Sequence, residues 1–333
     1  MSQGSVRSVA SGVLVAGVLV AGVVFGLGAQ ASAVSGTTST RTIQAAGLTR
    51  SFRLYRPAAL AKTTKAPLVI ALHEAGSSGA AFETRTGFDS IADNRNWLVV
   101  YPESQSLQTT SGPSKEWQYG CCETTEEGTQ DLTFIRTMIS TLVAQENVDP
   151  QRVWVTGFSV GASMADRLGC EASDVIAAIA PVNGGEARGG NRCTPAHPVT
   201  TYVIHGSQND FEGCRSGQLL CYKGAAGYHP SSYELAQFWS QRDLCPGGPT
   251  SNSSGAVTTT DWTGCSGATA VRHSGIQGGG HCWPSLSAPS GGMNATTAIA
   301  SFFAGKYLPP AAAKSGTAND ADVVPVPIAP VGS

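Results

Sequence analysis

The feature that most constrains this chain is a set of short runs that are apolar or β-branched at nearly every position. They are Pro67–Leu72, Trp97–Tyr101, Val153–Val155, Val175–Ala180 and Thr200–Ile204. A strand with one wet face alternates apolar and polar residues, so runs of this kind predict strands buried on both faces. Helix-like stretches separate them. Phe82, Phe88 and Ile91 suit a helix face. Leu132, Ile135, Met138, Ile139, Leu142 and Val143 recur at the spacing of an apolar helical stripe, and Asp149-Pro150 is expected to end that helix. Such alternation predicts an α/β domain, with a mainly parallel central sheet and helices on both faces. Ligand chemistry then belongs in the loops at the carboxyl ends of the strands.

The two ends of the chain read differently. Arg7 is the only charge in the first 33 residues, and the small, apolar run Gly12–Ala29 leads into Ala31-Ser32-Ala33. That is the pattern of a secretory signal peptide, 1–33, cut after Ala33; an uncleaved membrane anchor is the rival reading, because the run is long. Residues 34–48, rich in Ser and Thr, read as a flexible lead-in. Residues 49–308 read as one domain, and the Ala/Pro-rich stretch 309–333 as a disordered tail. Export implies an extracellular protein with no stable membrane association after cleavage. The 21 basic residues less Arg7 leave 20 against 23 acidic ones, a net charge of −3, with 13% of residues charged. That balance offers no basic footprint for nucleic acid. The nine cysteines (Cys121, Cys122, Cys170, Cys193, Cys214, Cys221, Cys245, Cys265 and Cys282) include no CxxC pair. In an exported chain they read as disulfides rather than a metal site, with Cys214–Cys221 and Cys245–Cys265 as plausible local pairs. The odd count leaves at least one thiol free or paired between molecules.

Gly157-Phe158-Ser159-Val160-Gly161 matches G-x-S-x-G. In a chain with 40 glycines the motif alone means little. Here it follows the strand Val153–Val155 directly, and Ala162–Leu168 can begin a helix directly after it. Strand, tight turn and helix are what a nucleophile elbow needs, with an ordinary glycine turn as the bland alternative. Serine attacks only when a base takes its proton. In α/β-hydrolases the order along the chain is Ser, then Asp or Glu, then His. Of the histidines after Ser159, His205 and His273 lie in strands and read as structural. His281 sits in a glycine-rich loop, Gly278–Pro284, that can carry an imidazole over the elbow. Asp210, in the loop after the strand ending near Ile204, is the expected orienting acid, and Glu212 the reserve. The oxyanion donors are expected to be the backbone N–H groups of Val160 and, from the loop His73-Glu74-Ala75-Gly76, of Ala75. His73 is expected to shape that loop. Trp117 and Trp283 are candidates for the acyl pocket, with core packing as the alternative.

Taken together, these residues resemble a secreted esterase family that includes feruloyl esterases, acetylxylan esterases and polyhydroxybutyrate depolymerases. The carriers are Leu72-His73, Val100-Tyr101-Pro102, Trp117 with Gly120-Cys121-Cys122, Asp131, the elbow, His205-Gly206 and Gly278–Pro284. The likeness runs from about Phe52 to Tyr307. It implies an α/β-hydrolase fold and hydrolysis of carboxylic esters through an acyl-enzyme on Ser159, with no metal or organic cofactor. The substrate it implies is an ester carried by a polymer. Feruloyl or acetyl groups on plant cell-wall polysaccharide are expected first, and a polyhydroxyalkanoate polyester second. Three positions depart from the family's pattern. Glu74 replaces a glycine after the oxyanion-loop histidine. Asn209 stands where the acid usually does, one residue before Asp210. Cys282 replaces a small hydroxyl residue, either as the unpaired thiol or as a clip to Cys214 or Cys221. Glu74 and the displaced Asp210 are the support for a reading of another class, a catalytically dead binding protein with the same fold.

Overall fold

The computed structural model describes residues 35–109, 112–119, 128–184, 194–207, 232–286, 292–308 and 329–330, with Met1 and Gly4 before them. The chain divides after Ala33, and the described strands and helices belong to its second part. In chain order they are β1 (Thr37–Ala45), β2 (Leu48–Arg56), β3 (Ala66–Leu72), α1 (Gly79–Thr86), α2 (Phe88–Arg95), β4 (Leu98–Pro102), β5 (Gln105–Thr109), β6 (Gly112–Glu116), α3 (Gln130–Glu146) and β7 (Val148–Phe158). They continue with α4 (Val160–Glu171), β8 (Ala178–Val182), β9 (Thr200–Gly206), α5 (Ser232–Arg242), β10 (Thr250–Ser254), β11 (Val257–Trp262), β12 (Val271–Ile276), α6 (Ala295–Phe303) and β13 (Ala329–Pro330).

The described strands other than β5 and β6 form one sheet in the order β10-β11-β12-β9-β8-β7-β3-β4-β2-β1-β13. Its middle, from β12 to β4, is parallel throughout, and both flanks are antiparallel. Every residue of β3 is buried, as its unbroken apolar run predicts. Its side chains alternate between two cores. Leu68, Ile70 and Leu72 join the cluster built with α3, α4 and α5. Val69 and Ala71 join the one built with α1, α2 and α6. Each large aliphatic or aromatic side chain so buried stabilises the fold by roughly 1.5–3 kcal/mol. The sheet is therefore a wall with helices on both sides, and its chemistry is confined to the loops at the ends of its strands. From β3 the chain steps outward to β4, then returns across β3 to β7. The carboxyl ends of β3 and β7 therefore flank the point where strand order reverses, where a ligand crevice forms.

Several expectations shift. Residues 34–48 are not a flexible lead-in: Thr37–Ala45 form β1, paired with β2 from Thr37↔Arg56 to Ala45↔Leu48. The threonines that read as loop-like are β-branched and fit a strand. Residues 46 and 47, both with positive φ, close the hairpin in the twist such turns favour. Ala329 and Pro330 of the expected tail pair with Thr42 and Arg41; the rest of 309–333 lies outside the described residues. The helical stripe ends at the left-handed cap Asn147, so Asp149-Pro150 falls in β7. Pro150 is tolerated there because β7 pairs with β3 at Val148 and then only from Val153 onward. Phe82 and Phe88 lie on two helices, not one, separated by Gly87 at φ 62°. The strand expected at Val175–Ala180 runs instead from Ala178 to Val182. Among the described residues, no helix is long and apolar enough to cross a membrane.

Candidate active site

Ser159 leaves β7 with φ 56° and ψ −121°, a conformation that costs a residue with a side chain on the order of 1–3 kcal/mol. Its surroundings hold it there. Its N–H donates to the Val182 carbonyl at 3.1 Å, and its own carbonyl accepts from Ala162 and Ser163 at the start of α4. The turn is pressed against the end of β3. A Cβ at position 161 would overlap the carbonyl oxygens of Leu72 and His73, so only glycine fits.

His281 meets this serine from the loop after β12. Its Nε2 lies 3.0 Å from Ser159 Oγ, and its ring packs against Phe158 with centroids 4.8 Å apart. The loop is fixed on both sides of the imidazole. Asn183 Nδ2 donates to the carbonyls of Gly280 and Cys282, at 3.3 and 2.7 Å. Cys282 is disulfide-bonded, so it is not an unpaired thiol. Cys245 and Cys265 form the local disulfide expected of them, and among the described residues no cysteine is free. Asp210, Glu212, His229, Cys121, Cys122, Cys193, Cys214 and Cys221 lie outside the described residues. The root of the Asp210 loop is tied to the histidine loop, because Ser207 N–H donates to Ile276 O and Gly278 N–H to Ser207 Oγ.

The other described histidines are placed for structure. Burial, reinforced by the charges of His273 and His281, pushes His205 down to about 3. Burial pushes His273 down to about 4, and its Nε2 lies 3.0 Å from Ser232 Oγ. The backbone N–H of His197 donates to Ser173 Oγ.

The loop after β3 is oriented by side chains. Ser104 N–H donates to His73 Nε2, so the proton sits on His73 Nδ1, which donates to the Glu74 carbonyl at 2.7 Å. Burial holds this histidine below its ordinary pKa. Because the peptide unit is planar and trans, pinning the Glu74 carbonyl sends the Ala75 N–H the opposite way. Trp117 Nε1 donates to the His73 carbonyl at 2.8 Å. The Glu74 carboxylate pairs with Arg85 of α1, and Glu74 is not among the positive-φ residues, so the missing glycine imposes no backbone strain. Among the described residues, neither the Ala75 nor the Val160 N–H has a hydrogen-bond partner. Val160 opens α4, where unsatisfied amides and the helix dipole favour an anion.

The tryptophans take the packing alternative. Trp117 has no exposed surface and Trp283 is 6% exposed. Trp283 packs edge-on against Phe82 and Phe88, and its Nε1 donates to Thr296 Oγ1. Neither offers a face to a substrate. Nothing local in the sequence marks Asn183, which follows β8 and is 2% exposed.

Residues 50–195 match the family model described as Esterase PHB depolymerase. The chain is 28% identical to feruloyl esterase B of Piromyces equi over 220 residues, 65% of this chain and 39% of that protein. It is 33% identical to poly(3-hydroxyalkanoate) depolymerase C of Paucimonas lemoignei over 120 residues, 36% of this chain and 28% of that one. It thus spans well under half the length of either relative. The solved acetyl xylan esterase from Aspergillus awamori superposes with a TM-score of 0.54 at 16% identity, covering 77% of this chain and 94% of that one. That likeness is one of fold, and the fold is of the α/β-hydrolase type.

Proposed function

From the match of residues 50–195 to the Esterase PHB depolymerase model and the geometry at Ser159, we propose that this protein is a secreted serine carboxylic-ester hydrolase acting through Ser159, His281 and Asp210. The observation that carries the reading is the 3.0 Å approach of His281 Nε2 to Ser159 Oγ, the geometry a general base needs. His281 takes the hydroxyl proton as Oγ bonds to the ester carbonyl carbon. The amides of Val160 and Ala75 receive the oxyanion. The carbon–alkoxy bond then breaks, and the alcohol leaves with the proton from His281. Water repeats the two steps on the acyl-enzyme, releasing the acid and restoring Ser159. Asp210 holds the imidazole in the tautomer this needs. The chemistry calls for no metal or organic cofactor.

The substrate class we favour is a plant cell-wall polysaccharide bearing feruloyl or acetyl groups. A groove of about 640 Å³ beside the oxyanion loop supports it, with Ser77, Ser78, Ser106, Ser114 and Lys115 set among the smaller apolar contributions of Ala81 and Pro113. Serine hydroxyls both donate and accept, as sugar hydroxyls do, whereas an aliphatic polyester offers only acceptors and apolar groups. The second reading, an extracellular polyhydroxyalkanoate depolymerase, rests on the Paucimonas relative. Secretion rests on the leader pattern of 1–33.

Ser159→Ala is the decisive variant. Its turnover of a nitrophenyl acetate is expected to fall by about 10⁴-fold or more, and near-wild-type turnover would end the assignment. Labelling of wild-type Ser159 by a fluorophosphonate excludes a dead binding protein. Methyl ferulate, acetylated xylan and polyhydroxybutyrate, offered side by side, rank the substrates; hydrolysis of the polyester alone would reverse that order of preference.

A further inference from the structure

We propose that Asn183 is a positioning residue that sets His281 over Ser159 and links the loop of the base to the loop of the acid. The proposal rests on the esterase reading. Asn183 is buried, follows β8, and has φ 49°, a conformation asparagine tolerates better than most residues. Its backbone N–H donates to Ile204 in β9 at 2.9 Å, which fixes the base of the side chain. The amide then makes three bonds. Nδ2 donates to the carbonyls of Gly280 and Cys282, the residues on either side of His281. Oδ1 accepts from the N–H of Gly206 at 2.8 Å, where β9 gives way to the segment that leads to Asp210.

These partners leave the amide one orientation. Two are carbonyls, which only accept, and one is an N–H, which only donates. Turning the amide over would set oxygen against oxygen and N–H against N–H, losing all three bonds. Among side chains of this length, only asparagine offers two donors and one acceptor on a short planar head. An aspartate carboxylate would repel both carbonyls, and its protonated form could restore one bond at most. The imidazole is thus bracketed by two pinned carbonyls, and the same head group touches the start of the acid's loop. A misplacement of about 1 Å in such a base costs on the order of a hundredfold in rate.

The test is Asn183→Asp, which keeps the shape and removes the donors, with Asn183→Ser as a second variant should the first not fold. Rates of fluorophosphonate labelling and turnover of nitrophenyl acetate are measured per labelled site, with KM and the pH profile. The expected result is full final labelling in a folded protein. Its labelling rate and kcat should both be about ten- to a hundredfold lower, with KM within about threefold. The Asn183→Asp deficit should also shrink as pH falls and the new carboxyl group is protonated. A purely structural role would lower the amount of labelled protein and its Tm while leaving the rate per site unchanged, and that result overturns the proposal, as does a rise in KM alone. A wild-type protein inert toward both reagents would instead sink the esterase reading.

Discussion

At the scale of single residues, this fold relies on side chains too small or too particular to exchange. Gly161 is one: the elbow lies against the carbonyls of Leu72 and His73 at the end of β3, where a Cβ has no room. Gly161→Ala is expected to lower stability by roughly 1–3 kcal/mol, the usual cost of overpacking. It should also lower kcat, because the clash is with backbone and can be relieved only by moving the elbow. Gly247→Ala makes the comparison, since nothing lies within 4 Å of its new methyl group; it should change stability by no more than about 0.5 kcal/mol. Urea titration of both variants checks the pair, and equal effects would contradict the packing account. The sequence displayed Ser159 and His281 because their signals are local, a motif after a strand and a histidine among glycines. Asn183 was illegible because its partners, Gly280 and Cys282, lie 97 and 99 residues away. Trp117 left both readings open for the same reason: its indole bonds to a carbonyl 44 residues back, and a buried tryptophan reads in sequence like a pocket tryptophan.

At the scale of elements, the parallel strands were legible because burial on both faces leaves continuous apolar runs. The flanking hairpins were not. β10 is exposed at every residue, and in β1 burial is confined to Ile43 and Ala45 at its end, so a core-facing pattern is absent from one and too short to read in the other, and threonine-rich edges resemble loops. Edge elements need other support, and the bond between Cys245, just past α5, and Cys265, just past β11, supplies it across a separation of 20 residues. Closing a loop of that length constrains the unfolded chain by about 3 kcal/mol. The double variant Cys245→Ser, Cys265→Ser is therefore expected to melt several degrees lower. Its kcat on nitrophenyl acetate should be nearly unchanged, because neither residue touches the elbow or its loops. Calorimetry with steady-state kinetics checks both halves, and a large loss of kcat at full folding would show that this flank is coupled to the site.

At the scale of the whole molecule, the buried titratable groups oppose one another. Two histidines in adjacent strands resist protonation, His205 near 3 and His273 near 4, both chiefly through burial. Unfolding restores them to about 6.5, so the unfolded chain takes up protons first as pH falls below that value, and these groups cost stability on acidification. Two acids act the other way. Burial raises Asp89 to about 7, helped by Glu83 and Asp93 and opposed by a hydrogen bond from Tyr101, and raises Asp243 to about 6. Their folded forms bind protons before the unfolded chain does, so acidification stabilises the fold through them. Between pH 8 and 5 the two pairs are expected to offset, leaving the wild-type stability curve nearly flat. Single variants should uncover each side. With His273→Asn the slope is expected to tilt so that stability rises toward pH 5; with Asp243→Asn it should tilt the other way. Urea midpoints at pH 8, 7, 6 and 5 for the three proteins test this, and parallel curves would mean that the ionisation of these buried groups does not govern how the fold responds to acid.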